Sequence, residues 1–463
     1  MITELGEKFT QLFKKYMPDA FVFALGLTII TTAGAILWTD SSLLETIQAW
    51  YKGFWLLLEF GMQMTLILVT GYSIAISPYA DRMIDGLTRI IRKPNQVYPF
   101  IILIGMVFSM ISWGWMVITA VLARQIASRV KGINYPYLIA CVYFSGVVWV
   151  GGLSSSIPLL LNTENNYLIE TGILSDTIST AQTLGSVLNI SLILFLFITG
   201  PLLFKWLAPR KHLDLQDMQT ESSQQKQLSI EEEAERMNNS PKLMSDGMNN
   251  SPWLQYLIAC MGLVYIVYHF ITRGFDVNLN IMIFIFIMLG LLFHRTPMRY
   301  GIAMKRSSMN ISGILFQFPF YAGIMGIMLY TGLGEKLALT MASAGTIHTY
   351  PVLAFLSGAV VNFAIPSAGG EFAVIGPSII SAVKEIGMGM QDPEINQMVV
   401  RASLSVAFGE TLTNLLQPFY LLIILPVMGL GIRIQARDVM GYLLIPFLFY
   451  FIFDMLMVVF LPL

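Results

Sequence analysis

The sequence is poor in charge, in cysteine and in histidine. Only 12% of its 463 residues are Asp, Glu, Lys or Arg, roughly half of the 25% usual in soluble domains. The formal net charge is −1, so the sequence lacks the excess of basic residues that a nucleic-acid partner would favour. Cys141 and Cys260 both lie inside apolar segments and are predicted to be small apolar residues rather than a disulfide or a redox pair.

Motifs for metal and nucleotide chemistry are missing as well. The sequence has no GxSxG, GxxxxGK[ST] or GxGxxG motif, and its histidines form neither an HExxH pair nor a Cys/His cluster. We therefore expect no catalytic residues, no metal site and no resident cofactor. The histidines are scattered along the chain at His212, His269, His294 and His348.

Long apolar runs are the main feature of the sequence, and 56% of its residues are hydrophobic. The runs at 20–38 and 184–204 contain no charged residue and are long enough to cross about 30 Å of hydrocarbon. The sequence therefore predicts an all-α polytopic membrane protein. Its nine predicted full spans lie near 20–38, 53–78, 136–161, 184–204, 254–271, 279–293, 311–330, 398–428 and 440–461.

Two further apolar stretches, 97–128 and 350–382, are interrupted by polar and small residues. Basic residues flank the first stretch on both sides, which places both of its ends on the cytoplasmic side and predicts a re-entrant hairpin. The basic loop at 294–310 lies inside by the same rule, so the second stretch enters from outside. This charge pattern places the N-terminus on the cytoplasmic side of the membrane. The expected location is a bacterial cytoplasmic (inner) membrane.

Matching landmarks in the two halves predict an inverted repeat. Tyr98-Pro99 opens the first hairpin and Tyr350-Pro351 opens the second, and a helix with a polar, Pro-containing break follows each hairpin. Opposite topology of the two halves makes the repeat inverted. The predicted units are 1–204 (hairpin 97–128, broken helix 136–161), a polar cytoplasmic linker at 205–253, a connecting span at 254–271, and 272–463 (hairpin 350–382, broken helix 398–428).

Inverted repeats with discontinuous helices are typical of secondary transporters. Helix N-termini at such breaks suit an anionic substrate, whereas freed carbonyls and hydroxyls suit Na⁺. The alternative is that these hydroxyls bond to their own helix or join neighbouring helices. The candidate substrate-binding residues are Ser112, Trp113, Gly114, Ser154, Ser155, Ser156, Ser367, Gly369, Gly370, Glu371, Thr411, Thr413 and Asn414, together with Gln63 and Gln317 at equivalent places in the two halves.

Glu371 and Glu410 are the informative charges, because each lies within an apolar stretch. An ionisable group at the centre of a span costs roughly 2.5–3.5 kcal/mol and is a candidate for function. These carboxyls could carry a proton, bind Na⁺ or pair with a cationic group of a substrate, or they could be structural. With Ser367 and Asn414 they form the predicted site for a coupling ion, H⁺ or Na⁺.

Several runs resemble the short-chain fatty acid transporter family. They include Phe60-Gly61-Met62-Gln63-Met64, the segment 316–323, Asn362-Phe363-Ala364-Ile365-Pro366-Ser367, Gln417-Pro418-Phe419 and Met440-Gly441-Tyr442. The resemblance implies uptake of short-chain monocarboxylates such as butyrate or acetoacetate. It also implies the fold of the ion-transporter superfamily, with a homodimer in which each protomer has a scaffold and a moving transport domain.

The chain departs from that family pattern at two positions. Ala368 stands where family members usually carry a third glycine, and Glu371 stands where they carry a neutral side chain or His. The leading hypothesis is a secondary transporter of a small carboxylate by alternating access, coupled to H⁺ or Na⁺. Alternatives are a transporter of an amino acid whose ammonium pairs with Glu371, and, from another class, a membrane-embedded enzyme or sensor.

Overall fold

The computed structural model describes residues 15, 18–88, 91, 93–111, 114–163, 166–219, 229–237, 244–274 and 279–463. These residues are mostly helical, and no strand occurs among them. The longer helices are Ala20–Trp38, Leu43–Gly53, Leu58–Ala75, Pro78–Thr88, Pro94–Ile111, Trp115–Ala127, Tyr135–Phe144, Val187–Leu207, Ile230–Met237, Pro252–Arg273, Leu279–His294, Pro297–Ser307, Ser312–Tyr330, Leu333–Ala342, Tyr350–Val361, Ala368–Ile386, Asp392–Thr413, Leu421–Met428 and Leu444–Phe460.

Apolar helices of membrane-spanning length make the chain a polytopic membrane protein. Among the described residues, four helical segments are long and apolar enough to cross a bilayer, and a fifth span is formed if a pair bent by 46° is counted as one. The other apolar helices have 10–17 residues, so the number of full spans stays a prediction. The four segments are Phe21–Trp38, Pro94–Ile111, Val187–Leu207 and Met244–Arg273.

Some of the helices were not foreseen from apolar runs. Leu43–Gly53 begins with a capping box in which Ser42 and Glu45 satisfy each other's backbone N–H groups, a strong local start signal. Gly53 then packs against Gly326 of helix Ser312–Tyr330, where an added Cβ would come 2.6 Å from the Gly326 Cα atom. The span predicted at 53–78 is observed as the separate helix Leu58–Ala75, since the chain turns between the two helices.

The first predicted hairpin, 97–128, corresponds to helices Pro94–Ile111 and Trp115–Ala127. Pro94–Ile111 is by itself long enough to cross the membrane, so the re-entrant course stays a prediction. The hairpin is followed by the first broken helix, which runs from Tyr135–Phe144 through a 3₁₀ turn at Trp149–Gly151 to the short helix Ile157–Leu161. Gly152 fits at this break because an added Cβ would lie 2.6 Å from the backbone of Met110 in the hairpin. The hairpin and the broken helix are therefore in direct backbone contact.

The second predicted hairpin, 350–382, corresponds to helices Tyr350–Val361 and Ala368–Ile386. The second broken helix contains Asp392–Thr413, a 3₁₀ turn and Leu421–Met428. Gly358 and Gly409 allow the backbones of Tyr350–Val361 and Asp392–Thr413 to touch, the close packing that small residues permit between membrane helices. This contact brings the break of the second hairpin next to the break of the second broken helix.

Candidate functional site

Two interruptions of helical structure meet in the second half of the chain. The second hairpin leaves the helix after Val361 and resumes at Ala368, with Ser367 in an extended conformation. The second broken helix passes through a 3₁₀ turn to Gln417, which is also extended. Pro366 and Pro418 lack backbone N–H groups and cannot continue a helix ladder. Each break therefore leaves backbone N–H and C=O groups without the hydrogen bonds that a continuous helix would give them.

A buried amide network joins these two breaks. Asn362 Nδ2 donates to Asn414 Oδ1 over 3.2 Å, and Gln417 Nε2 donates to the same oxygen over 2.8 Å. Gln417 Nε2 also donates to the side-chain oxygen of Asn362. All three side chains are buried, and buried amides need such partners because desolvation without them is costly. The network fixes the hairpin break against the helix break.

Glu410 and Glu371 lie beside this network and are fully buried. Asn414 Nδ2 donates to Glu410 Oε1 over 2.9 Å. Glu410 Oε2 and both oxygens of Glu371 have no hydrogen-bond partner among the described residues. The helices that carry them, Ala368–Ile386 and Asp392–Thr413, pack against each other. Two ionised carboxylates are costly at such a place, so the arrangement can hold a proton or a small cation.

The tyrosines of this region connect separate elements. Tyr143, in the first broken helix, donates its hydroxyl to the carbonyls of Asn414 (2.5 Å) and Gln417 (2.9 Å). Tyr420 donates to the carbonyl of Pro366 over 3.2 Å. These bonds satisfy carbonyls that the helix breaks leave free. They link the first broken helix, the second broken helix and the second hairpin into one polar centre.

A small cavity lies between the two broken helices. Its volume is about 10 Å³, close to the minimum that one water molecule needs. The centre is thus closed to a larger ligand in this conformation. The cavity is lined by Trp115, Tyr143, Gly146, Val147, Trp149, Thr411, Asn414, Leu415 and Tyr420.

The serines predicted at the first break have different surroundings. Ser154 donates to the carbonyl of Ser109 in the first hairpin, whereas Ser155 Oγ is buried without a partner among the described residues. Ser156 faces the second hairpin, because a Cβ added to Gly369 would lie 3.5 Å from Ser156 Cβ. Within the second hairpin itself, a Cβ added to Gly370 would lie 3.5 Å from Ser367 Oγ. The structure therefore brings the tip of the second hairpin against the first broken helix.

Other predicted residues lie apart from this centre or bond locally. Gln63 Nε2 donates to Asn280 Oδ1 over 2.9 Å and so joins two helices. Gln317 Oε1 is buried and unpartnered within the described part of the chain. Thr413 donates to the carbonyls of Gly409 and Glu410 in its own helix.

At the first hairpin break, Gly114 packs toward Met282 and Ile67, because an added Cβ would lie 3.2 and 3.4 Å from those side chains. The predictions for Ser112 and Trp113 fall outside the described residues.

Sequence reasoning missed four members of the polar centre. Asn362 and Gln417 stand in the break motifs and could have been selected as polar residues beside Pro and Gly. Tyr143 and Tyr420 carry no such signal, since the carbonyl that Tyr143 reaches belongs to a residue 271 positions away. A further buried carboxyl, Asp454, lies in helix Leu444–Phe460, with neither oxygen hydrogen-bonded within the described chain.

Apolar helices surrounding a closed polar centre at two helix breaks define the class, a multi-pass helical membrane protein. A family model described as "Short chain fatty acid transporter" matches residues 1–461, and the chain belongs to the short-chain fatty acid transporter family. It is therefore a transporter and not an enzyme, with a small-molecule substrate and a lipid environment.

Two relatives carry the name "Putative short-chain fatty acid transporter". The one from Escherichia coli (strain K12) is 33% identical over 454 residues, and the one from Haemophilus influenzae is 32% identical over 455 residues. In both comparisons the match covers 97% of this chain and 97% of the relative.

Two solved transporters also align with the chain. The Alcanivorax borkumensis YdaH transporter is 16% identical, with a TM-score of 0.43 and coverage of 97% of this chain and 98% of that one. Neisseria gonorrhoeae MtrF, described as illuminating a class of antimetabolite efflux pumps, is 13% identical, with a TM-score of 0.39 and coverage of 98% and 97%. These TM-scores are too low to define the fold of this chain.

Proposed function

We propose that the protein is a secondary active transporter that moves short-chain monocarboxylates, such as butyrate or acetoacetate, across the bacterial cytoplasmic membrane. Transport is by alternating access and is coupled to H⁺ or Na⁺. Family membership over residues 1–461 supports the substrate class. The resemblance also implies a homodimer, with the two hairpins and the two broken helices moving as a unit in each protomer, and the charge pattern places the N-terminus inside.

The observation that carries this proposal is the buried carboxyl pair beside the amide network. Glu371 and Glu410 are fully buried on two helices that pack together, and three of their four oxygens have no hydrogen-bond partner within the described chain. An anionic substrate entering beside two carboxylates would be repelled. Binding of a proton or of Na⁺ at the pair removes this repulsion, so the coupling ion and the substrate bind together.

The closed cavity supplies surfaces suited to a short acyl chain. Trp115, Trp149 and Tyr420 contribute aromatic faces, which bury apolar groups well. The side-chain amide of Asn414 lies at the same cavity and is a suitable donor for a carboxylate. Because the cavity volume is about 10 Å³, the side chains that line it must rearrange before a four-carbon acid fits.

Uptake of labelled butyrate into proteoliposomes tests the proposal, with an imposed Na⁺ or H⁺ gradient applied separately. Wild type is compared with Glu371→Gln and with Glu385→Gln, because Glu385 is an exposed carboxylate on the same helix. We expect gradient-driven accumulation by the wild type and by Glu385→Gln. Glu371→Gln is expected to exchange butyrate without responding to the gradient, since the amide carries no titratable or cation-binding charge.

Two results would overturn parts of the proposal. If no short-chain acid accumulates or competes under any gradient, the substrate class is wrong, and competition by zwitterionic amino acids would instead assign the ammonium-pairing role to Glu371. If Glu371→Gln retains full gradient-driven accumulation, the coupling role of that carboxyl is wrong even though the substrate stands.

A further inference from the structure

A second and larger cavity lies away from the broken helices, on the side that the arginine-rich loops predict to be cytoplasmic. Its volume is about 500 Å³, within the range of small-molecule pockets, roughly 300–1,000 Å³. It is bounded by the end of helix Leu58–Ala75 and the following turn, by the region around His294, by Leu430 and by the start of helix Ile230–Met237 in the linker. Elements that are distant in sequence therefore form one chamber.

The charge of this cavity is strongly positive. Arg82, Arg295, Arg299 and Arg306 line it, and Glu231 is the acidic residue among the lining side chains. Arginine forks match the oxygen geometry of phosphate groups and bind them through two parallel hydrogen bonds. Four such groups around one chamber favour a ligand that carries several anionic oxygens.

Arg82 and Arg295 both contact the aromatic ring of Tyr79. Their guanidinium carbons lie 4.8 and 5.5 Å from the centre of the Tyr79 ring. Arg295 Nη2 also donates to the Tyr79 hydroxyl over 2.6 Å. Neither arginine forms an ion pair with a described residue. An anion bound between these two guanidinium groups would be attracted to both.

The other two arginines, Arg299 and Arg306, are hydrogen-bonded to carboxylates of the linker. Glu231 accepts from Arg299 Nη1 over 3.1 Å, and Glu233 accepts from Arg306 Nε over 3.0 Å. Ile230 and Ala234 of the same helix pack against apolar side chains of helix Pro297–Ser307. The linker carboxylates therefore stand where an anionic ligand would contact these two arginines.

We propose that this chamber is a binding site for a phosphate-bearing anion, either a soluble phosphate compound or the headgroup of an anionic lipid. The anion is held between Arg82 and Arg295, and it competes with Glu231 and Glu233 for Arg299 and Arg306. This site is separate from the carboxyl pair and does not depend on the identity of the transported acid.

Inorganic pyrophosphate is the probe for a soluble ligand, titrated by calorimetry onto the full chain in phosphatidylcholine nanodiscs. We expect saturable binding that weakens at least tenfold in Arg82→Gln/Arg295→Gln. The control Lys305→Gln removes an exposed charge near Arg306 that does not line the chamber and should leave the affinity unchanged. Glu231→Gln/Glu233→Gln should raise the affinity several-fold, because the competing carboxylates are gone.

Nanodiscs containing phosphatidylglycerol distinguish the two sources. A lipid headgroup ligand predicts a higher melting temperature in phosphatidylglycerol than in phosphatidylcholine for the wild type and for Lys305→Gln, and a smaller increase for Arg82→Gln/Arg295→Gln. The proposal is overturned if pyrophosphate shows no saturable binding and phosphatidylglycerol gives no such increase. It is equally overturned if Lys305→Gln loses as much binding or stabilisation as the arginine pair.

Discussion

Asn414 donates a hydrogen bond to Glu410 from one helical turn further along the second broken helix, over 2.9 Å. The side-chain oxygen of Asn414 accepts from Asn362 and Gln417. One amide therefore connects a buried carboxyl to both helix breaks. A change in the charge of Glu410 therefore acts directly on the side-chain amides that hold the two breaks together.

Asn414→Leu is expected to remove this connection while keeping a side chain of similar size. Glu410 then loses the hydrogen bond from Asn414, and the amides of Asn362 and Gln417 lose an acceptor, at a cost of about 1–3 kcal/mol for each unsatisfied group. Butyrate uptake should fall at least about tenfold. The control is Thr413→Ala, whose hydroxyl bonds only to carbonyls of its own helix in the described structure. Equal loss in both variants would contradict a specific role for Asn414.

Tyr143→Phe tests the link between the first and second broken helices. The variant leaves the carbonyls of Asn414 and Gln417 without the Tyr143 hydroxyl, a loss of about 1–3 kcal/mol. We expect a lower melting temperature in detergent and slower uptake. Tyr268→Phe removes an exposed hydroxyl and should change neither quantity. An unchanged melting temperature in Tyr143→Phe would show that this hydroxyl does not hold the helices together.

Trp149→Phe should change selectivity for chain length. Trp149 lines the small cavity, and a smaller aromatic side chain leaves room for additional methylene groups, each worth about 0.8 kcal/mol when buried. Competition by hexanoate against labelled butyrate should therefore strengthen about three- to fourfold for one methylene group gained. Trp253→Phe alters an exposed tryptophan and should leave the competition series unchanged. A series identical in both variants would place the acyl chain elsewhere.

Gly409→Ala tests the close backbone contact behind the carboxyl pair. A Cβ at this position would lie 2.1 Å from the carbonyl oxygen of Phe355, so the second hairpin and the second broken helix must move apart. Overpacking of this kind costs about 1–3 kcal/mol, and the melting temperature should fall. Gly26→Ala is the matched control in another apolar helix, because nothing lies within 4 Å of its added Cβ. A stability loss that is the same in both would exclude this contact as the cause.

The polytopic helical class was predictable because apolar runs of span length have few alternatives to a bilayer. Local signals that lie between these runs explain the helices that were not foreseen. Leu43–Gly53 is amphipathic and begins with the Ser42–Glu45 capping box, and Pro297–Ser307 begins with Thr296 as its N-cap and with Pro297 in its first turn. A search for spans overlooks such helices, since their average hydrophobicity is low.

Candidate residues for the site were predictable where polarity interrupts an apolar run. Glu371, Glu410 and Asn414 were selected for that reason, and the structure places them together. Gln63 was selected by its equivalent position in the repeat, yet it bonds to Asn280. Repeat equivalence identifies corresponding positions in two halves, but it carries no information on which side chain faces which neighbour.

The sequence by itself determined that the chain is a multi-pass membrane protein, and it predicted that its helices break at polar Pro-containing segments with carboxyls of apolar stretches near these breaks. Charge, hydropathy and proline are local properties and are read directly. Tertiary structure alone decided that Tyr143 caps carbonyls of the other half, that Asn362 joins Asn414, and that arginines from separate helices share one chamber. Such contacts depend on how helices dock over long sequence separations, which no local pattern encodes.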